Sequence, residues 1–197
     1  IIPTDKSSPS NDYCVGYCYN SNITNKEDAE KNFLDMFDVE IKKHLNYRNY
    51  VAKDPVIDDR IFLNGNRLFF LEPLESSSTQ TYIEIVRAFF DYYLPGRVNL
   101  DRIRENTREY MIECQNFLLW HYKSGSKYDT PFWKYATSLE VEYDDKFKKY
   151  YEWVSKNNRY DSLPNVYGGI GGQSLYGQWP AYSFRNWYEG INTKLNI

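Results

Sequence analysis

The chain has 197 residues, 24 basic and 27 acidic side chains, a formal charge of −3 and an aromatic fraction of 18%. That length suits one domain, or part of a larger one, with a real core, and the aromatic content excludes a disordered chain. The charges are interspersed and leave no basic stripe for a phosphate backbone, so nucleic acid is excluded as a partner.

Cys14, Cys18 and Cys114 show no C-x-x-C spacing, and His44 and His121 are the only histidines. This points to reduced thiols in a cytoplasmic setting, and away from disulfides or a metal centre. No apolar run is long enough to span a membrane, and the first residues lack the form of a signal peptide. A homo-oligomer is compatible with the sequence. Ile1-Ile2-Pro3 enters apolar sequence at once, which reads as a fragment of a longer chain. The abundant aromatics either replace aliphatic residues in the core or face planar ligands.

Tyr13 to Tyr19 is β-branched and aromatic between polar clusters, and reads as a strand. Thr24 with Glu27 has the form of a capping box, followed by Ala29, Phe33, Met36 and Phe37 at helical spacing toward His44. Tyr47–Val51 and Asp59–Leu63 are further short strands, the second ending at the turn dipeptide Asn64-Gly65. From Thr79 a broad apolar stripe of Ile83, Val86, Phe90 and Tyr93, joined by Ile85 and Phe89, predicts a helix that stops at Pro95-Gly96.

A second, longer helix follows Asn99. It keeps Ile103, Thr107, Tyr110, Met111, Cys114, Phe117, Leu118 and His121 on one face as far as Gly125. Asp129-Thr130-Pro131 caps a helix over Phe132–Leu139, and Phe147, Tyr150, Tyr151 and Val154 mark a shorter one. From Asn158 the chain reads as loop with a final short helix, carrying a Gly168–Gly172 tract and the aromatics Tyr176, Trp179, Tyr182, Phe184, Trp187 and Tyr188. Strands before residue 75 and helices after it predict an α+β fold. A strand-rich segment, 1–75, forms the edge of a sheet and a helical layer covers 76–197.

Chemistry concentrates in Phe70-Leu71-Glu72-Pro73-Leu74-Glu75-Ser76-Ser77-Ser78, where two carboxylates flank a rigid turn that opens a helix. Proline removes a donor and fixes φ, and the serines offer amide and hydroxyl donors where the helix dipole favours an anion. Glu72 and Glu75 are either solvated charges at a helix entrance or, among Phe69, Phe70, Leu71 and Leu74, carboxylates held in an apolar setting for orientation or proton transfer. Gly65-Asn66 is either a plain turn or a place where bare backbone approaches a phosphate or sugar. His121, with no second ligand at i±4, reads as a core histidine, and the terminal aromatics either line an aryl pocket or close the core.

The same residues resemble the C-terminal half of the flavin-dependent halogenases, especially those acting on tryptophan. The matching elements, in order, are Gly65-Asn66, Phe70 to Ser78, His121-Tyr122 and Asp129-Thr130-Pro131-Phe132-Trp133. Near the start, Ile2-Pro3 looks like the end of the family's Trp-x-Trp-x-Ile-Pro motif, and Gly16-Tyr17-Cys18-Tyr19-Asn20 looks like its Gly-Tyr-Val-Tyr-Ser segment.

The resemblance implies FAD, used as FADH2 from a flavin reductase, and chloride or bromide, converted to hypohalous acid that a lysine presents to a small indole- or tryptophan-like arene. It implies Glu75 as the carboxylate working with that lysine, and Ser77 and Ser78 beside the halide. Gly65, Asn66 and Pro73 would lie on the cofactor side, and Trp179, Phe184 and Trp187 on the substrate side. Ser77 stands where the family has threonine, Ser78 where it has glycine, and Arg67 where a small residue is usual. The Gly-x-Gly-x-x-Gly motif and the lysine belong to the family's N-terminal FAD-binding half and have no counterpart here, so this chain alone is expected to be inactive. The rival readings are a flavin monooxygenase relative that makes no use of halide and a non-catalytic helical interaction module.

Overall fold

The computed structural model describes residues 2–3, 13–72, 77–157, 176–177, 179–191 and 195. Within them the fold is α+β, with short ladders and a dominant helical layer. Six two-residue strands pair as three antiparallel ladders: β1 (Ile2–Pro3) with β2 (Tyr13–Cys14), β3 (Tyr50–Val51) with β6 (Phe69–Phe70), and β4 (Val56–Ile57) with β5 (Ile61–Phe62). Each predicted strand is thus trimmed to a pair of residues; Tyr13–Tyr19 keeps only its first two. A ladder this short is not stable alone. What holds β6 is burial: Leu68 and Phe69 are fully enclosed and Leu71 nearly so.

The β4–β5 hairpin turns at Asp58-Asp59, both at positive φ, with the Arg60 N–H bonded to the Ile57 carbonyl at 3.1 Å. Aspartate tolerates the left-handed region, and two such residues give the twist a tight hairpin needs. Arg104 then pins the hairpin to the helical layer, Nε donating to both oxygens of Asp54 (3.0 and 3.2 Å) and Nη2 to Asp59 (2.6 Å). Asn64-Gly65 does not end a hairpin; Gly65, at φ +58, opens a single 3-10 turn, Gly65–Arg67.

Helix α1 spans Lys26–Met36 and is capped by Asn25, whose Oδ1 accepts the Asp28 N–H at 2.8 Å, one residue later than the predicted Thr24 cap. It ends at Phe37, well short of His44, because only Ala29 and Phe33 find buried positions. Helix α2 covers Ser77–Ala88 and runs into a wider π-type turn, Phe89–Tyr93, closed by the Leu94 N–H on the Phe89 carbonyl at 2.7 Å. The predicted stripe on α2 divides. Ile85 and Ala88 face the core with Thr81 and Glu84, whereas Ile83, Val86 and Phe90 are exposed.

Helix α3, Leu100–Lys123, carries the centre of the fold and starts at an Asn99 cap accepting the Arg102 N–H at 2.9 Å. Its predicted face is buried from Ile103 to Leu118, with Trp120 added. Helix α4 is Pro131–Ser138 behind the Thr130 cap, α5 is Asp145–Lys156 capped by Asp144, and α6 is Ala181–Gly190. One core cluster joins Leu68, Phe69 and Leu71 to α3, to α5 through Phe147, Tyr150, Tyr151 and Val154, and to Phe184 of α6.

A buried polar network crosses this core. Glu113 of α3 accepts from Lys146 Nζ and from the Gly177 N–H, each at 2.5 Å, and Asn116 donates to Asp144 at 2.8 Å. The Tyr176 phenol donates to the same Asp144 oxygen. Gly177 sits at φ +54, and a β-carbon there would lie 3.1 Å from Cys114 Sγ and 3.2 Å from the Cys114 nitrogen, so the close approach requires glycine.

Candidate functional site

The stretch between β6 and α2 is bounded on both sides by described residues. Pro73, Leu74, Glu75 and Ser76 themselves lie outside them, as does the side chain of Ser77, whose backbone opens α2. Ser78 Oγ donates to the Leu71 carbonyl at 3.3 Å, which ties the first turn of α2 back to the end of β6. Two groups of side chains flank this link.

On one side Tyr82, one turn along α2, brings Asn66 and Ser78 together. Its phenol lies 2.6 Å from Asn66 Oδ1 and 3.1 Å from the Phe69 carbonyl, and it also hydrogen-bonds the Ser78 hydroxyl. Burial raises the phenol above its ordinary value, and the Ser78 bond partly opposes the rise. Asn64 Nδ2 donates to the Tyr82 carbonyl at 3.2 Å, while Asn64 Oδ1 is buried without a partner. Gly65 leaves open space where a β-carbon would stand, so its backbone is approachable from outside.

On the other side Glu72 collects polar groups from three parts of the chain. Asn49 Nδ2 donates to Glu72 Oε2 at 3.2 Å. The phenol of Tyr122, at the end of α3, is raised first by burial and then by the Glu72 carboxylate. Tyr47 is raised by burial, by its hydrogen bond with Cys18 and by the charge of Glu72. In each case the carboxylate disfavours a second negative charge, so both phenols stay protonated and available as donors.

An aromatic corner adjoins this carboxylate. The Tyr122 ring lies parallel to Trp133 (6.0 Å, 27°) and edge-on to Phe132 (5.9 Å, 84°). Tyr47 packs on Phe70 at 5.3 Å. The corner is fixed where α3 meets α4: Lys123 Nζ donates to the carbonyls of Thr137 and Leu139, both at 2.5 Å. Gly125 at φ +76 passes so near that a β-carbon would meet Thr137 Cγ2 at 3.0 Å. Tyr122, quoted for its motif, thus reaches Glu72 together with Tyr47 and Asn49, while Phe132 and Trp133 pack on Tyr122 and Cys18 bonds Tyr47. The sequence reading placed Tyr47 in a strand and Cys18 in the opening motif without tying either to the site, and did not single out Asn49, because nothing local marks residues that meet only through the tertiary fold.

The terminal aromatics sit elsewhere. Trp179 stacks on Phe117 at 4.1 Å and is buried, and Phe184 is fully enclosed against Trp120 at 4.7 Å. Trp187, partly exposed, stacks on His121 at 3.8 Å. His121 Nδ1 lies 2.8 Å from the Phe117 carbonyl, so this nitrogen carries the proton. Among the described residues no group of three His, Cys, Asp or Glu side chains is placed to hold a metal.

The family model of the tryptophan halogenases matches residues 10–189. Among solved structures, the chain is similar to a thermophilic tryptophan halogenase, Th-Hal, from Streptomycin violaceusniger, at 17% identity and TM-score 0.63, covering 85% of this chain and 32% of that one. It is also similar to Tar14, a tryptophan C-6 flavin-dependent halogenase (chlorinase) from taromycin biosynthesis, at 22% identity and TM-score 0.59, covering 85% and 33%. The chain therefore spans about a third of the length of these structures and shares their fold over that part. With the family model matching residues 10–189, nearly the whole of its sequence, this chain belongs to the tryptophan halogenase family.

Proposed function

We propose that this chain is the C-terminal, substrate-side part of an FAD-dependent halogenase that chlorinates or brominates an electron-rich, indole- or tryptophan-like arene through hypohalous acid. The observation that carries the reading is the family match over residues 10–189, which includes the whole Phe70–Ser78 motif. Residues 1–75 are the edge of the flavoprotein sheet and 76–197 the substrate-side layer. The FAD-binding half, with the Gly-x-Gly-x-x-Gly motif and the lysine, comes from outside this chain, and a flavin reductase supplies FADH2. Among the described residues no helix is long and apolar enough to cross a membrane.

The residues present fit a flavin on the Tyr82 side. Gly65 offers backbone with no β-carbon in the way, and Asn66 is held beside it by the Tyr82 phenol; Pro73 joins them on the resemblance alone. Bound and reduced, FAD supplies the activation of oxygen toward halide. The chain's own residues do the rest by position. The first-turn amides of α2 lack partners within the helix and favour an anion, so chloride or bromide is held at Ser77 and Ser78.

Glu75 holds the presenting lysine and stabilises positive charge on the arene during substitution. Tyr122, Phe132 and Trp133 form a face for a planar ring, and Trp187, partly exposed on His121, offers a separate one. The test is Glu75→Gln in the polypeptide that includes the FAD-binding half. Turnover is expected to fall by about 100-fold or more with unchanged thermal stability. Unchanged turnover would return Glu75 to the role of a surface charge.

A further inference from the structure

Glu72 is a part-buried carboxylate without a counter-ion. Asn49 Nδ2 donates to its Oε2 at 3.2 Å, and the Tyr122 phenol is its other polar neighbour. Among the described residues no Lys, Arg or His forms an ion pair with it. Other carboxylates withdrawn from water are served better. Glu84 pairs with Arg87 at 2.8 Å and Glu113 with Lys146 at 2.5 Å, and Asp144 accepts from the Phe147 N–H, the Asn116 amide and the Tyr176 phenol. A carboxylate drawn out of water is costly without a cation or several donors, and Glu72 has two neutral donors for about four lone-pair sites. It is short of a positive partner.

The cations closest in the chain are committed elsewhere or free in water. Lys123 Nζ is turned onto the Thr137 and Leu139 carbonyls at 2.5 Å each, and Arg48 is exposed. What surrounds the carboxylate is aromatic. The part-exposed Tyr122 ring carries Phe132 and Trp133 at 5.9 and 6.0 Å, and Tyr47, itself 44% exposed, lies against Phe70 at 5.3 Å. Rings beside an unpaired carboxylate suit a protonated amine, held by charge-assisted hydrogen bonds and by attraction to the ring faces. A ligand carboxylate would meet the same negative charge with nothing to offset it. We propose that Glu72, Asn49, Tyr47 and Tyr122 form an ammonium-binding subsite, and that the arene this chain takes is an arylalkylamine lacking a carboxyl group, its ring on Phe132 and Trp133. The role of that amine as a substrate rests on the halogenase reading; its binding does not.

The test is calorimetric titration of the chain near neutral pH with tryptamine, tryptophan, indole-3-propionate and the uncharged 3-methylindole. Tryptamine is expected to bind at least about tenfold tighter than either carboxylate-bearing ligand. Glu72→Gln keeps an acceptor for Asn49 and removes the charge, so tryptamine affinity is expected to fall at least about tenfold while 3-methylindole stays within about twofold. Asn49→Lys, at an exposed position, supplies the missing cation from within the chain and is expected to have the same effect, which keeps the result independent of whether Glu72→Gln folds. Glu140→Gln, an exposed carboxylate elsewhere, is the control and should change nothing.

Equal affinity for tryptamine and indole-3-propionate would overturn the proposal, as would no measurable tryptamine binding, or binding that survives both substitutions. Loss of tryptamine binding once the chain is joined to an FAD-binding half would assign Glu72 to a basic side chain of that half and overturn it equally. Titration needs no turnover, which keeps the two readings separable. Amine binding that depends on Glu72 in a joined protein that halogenates nothing would leave the subsite standing and remove the halogenase reading. Halogenation of tryptamine and indole-3-propionate with the same kcat/KM would do the reverse.

Discussion

Tyr82→Phe removes one oxygen from the point where the Gly65–Arg67 turn meets the mouth of α2. The ring is retained and so is its edge-on contact with Phe69 at 5.6 Å, so no packing is lost. What disappears is the phenol that faces Asn66 at 2.6 Å and the Phe69 carbonyl at 3.1 Å. The one phenol proton is shared between the two acceptors: Asn66 is exposed and can turn to water, whereas Phe69 is a buried residue and its carbonyl loses its share of the donor.

A net hydrogen bond is worth about 0.5–1.5 kcal/mol and an under-satisfied buried acceptor adds to that, so a loss of about 1–2 kcal/mol is expected. For a chain of this length each kcal/mol moves the melting temperature by about 2–4 °C, giving a drop of about 2–8 °C by calorimetry. Tyr92→Phe, whose ring is exposed, is the control and should not move it. If Tyr82→Phe melts within 1 °C of the parent, the phenol does not hold the Gly65–Arg67 turn to α2, and the grouping of Asn66 with Ser78 is incidental.

Gly65→Ala introduces a β-carbon at φ +58 that meets nothing in the chain, so chemical denaturation should show only the left-handed penalty of about 1–2 kcal/mol. Its effect on flavin affinity in the joined protein should exceed that stability cost if the bare backbone faces the cofactor, as read by quenching of flavin fluorescence. Gly177→Ala combines φ +54 with close approach to the Cys114 sulfur and nitrogen, and is expected to cost about 2–3 kcal/mol in the same measurement.

Glu113 gives a pH signature. Burial raises its carboxyl above the ordinary 4.5, with Lys146 and the Gly177 N–H opposing the rise and Asp144 adding a little to it. The folded state therefore holds this proton more tightly than the unfolded state. The resulting stabilisation is full below about 4.5 and is lost as pH rises through the folded value. Relative to Glu113→Gln, which has no such titration, the parent should lose stability over that interval in urea unfolding, and a constant difference would contradict it.

Much of the helical layer could be read from local chemistry. Asn99 and Thr130-Pro131 act as caps where their side chains predict, and α3 buries the face that its periodicity marks. Local signals failed where two answers share one pattern. Asn25 took the cap in place of Thr24 because both can accept a backbone N–H, and the Asp58-Asp59 turn carried no glycine or asparagine to announce it. Periodicity also grouped Ile83, Val86 and Phe90 with Ile85, since a helix apolar on two sides does not declare which side this chain covers.

The site was legible as a motif but not as a place. Glu72 could be singled out in sequence, yet its company of Asn49, Tyr47 and Tyr122 comes from segments 23, 25 and 50 residues away. The terminal aromatics were left between pocket and core, and of these Trp179 and Phe184 are buried while Trp187 keeps a partly exposed ring on His121.

Mass spectrometry of a reaction containing the chain joined to an FAD-binding half, FADH2, oxygen and bromide with a panel of indoles and phenols decides whether this family member halogenates an arene. A monobrominated product, identified by its paired bromine isotopes and lost with Glu75→Gln, is the expected result. A hydroxylated product, or no brominated product from any member of the panel, would contradict it.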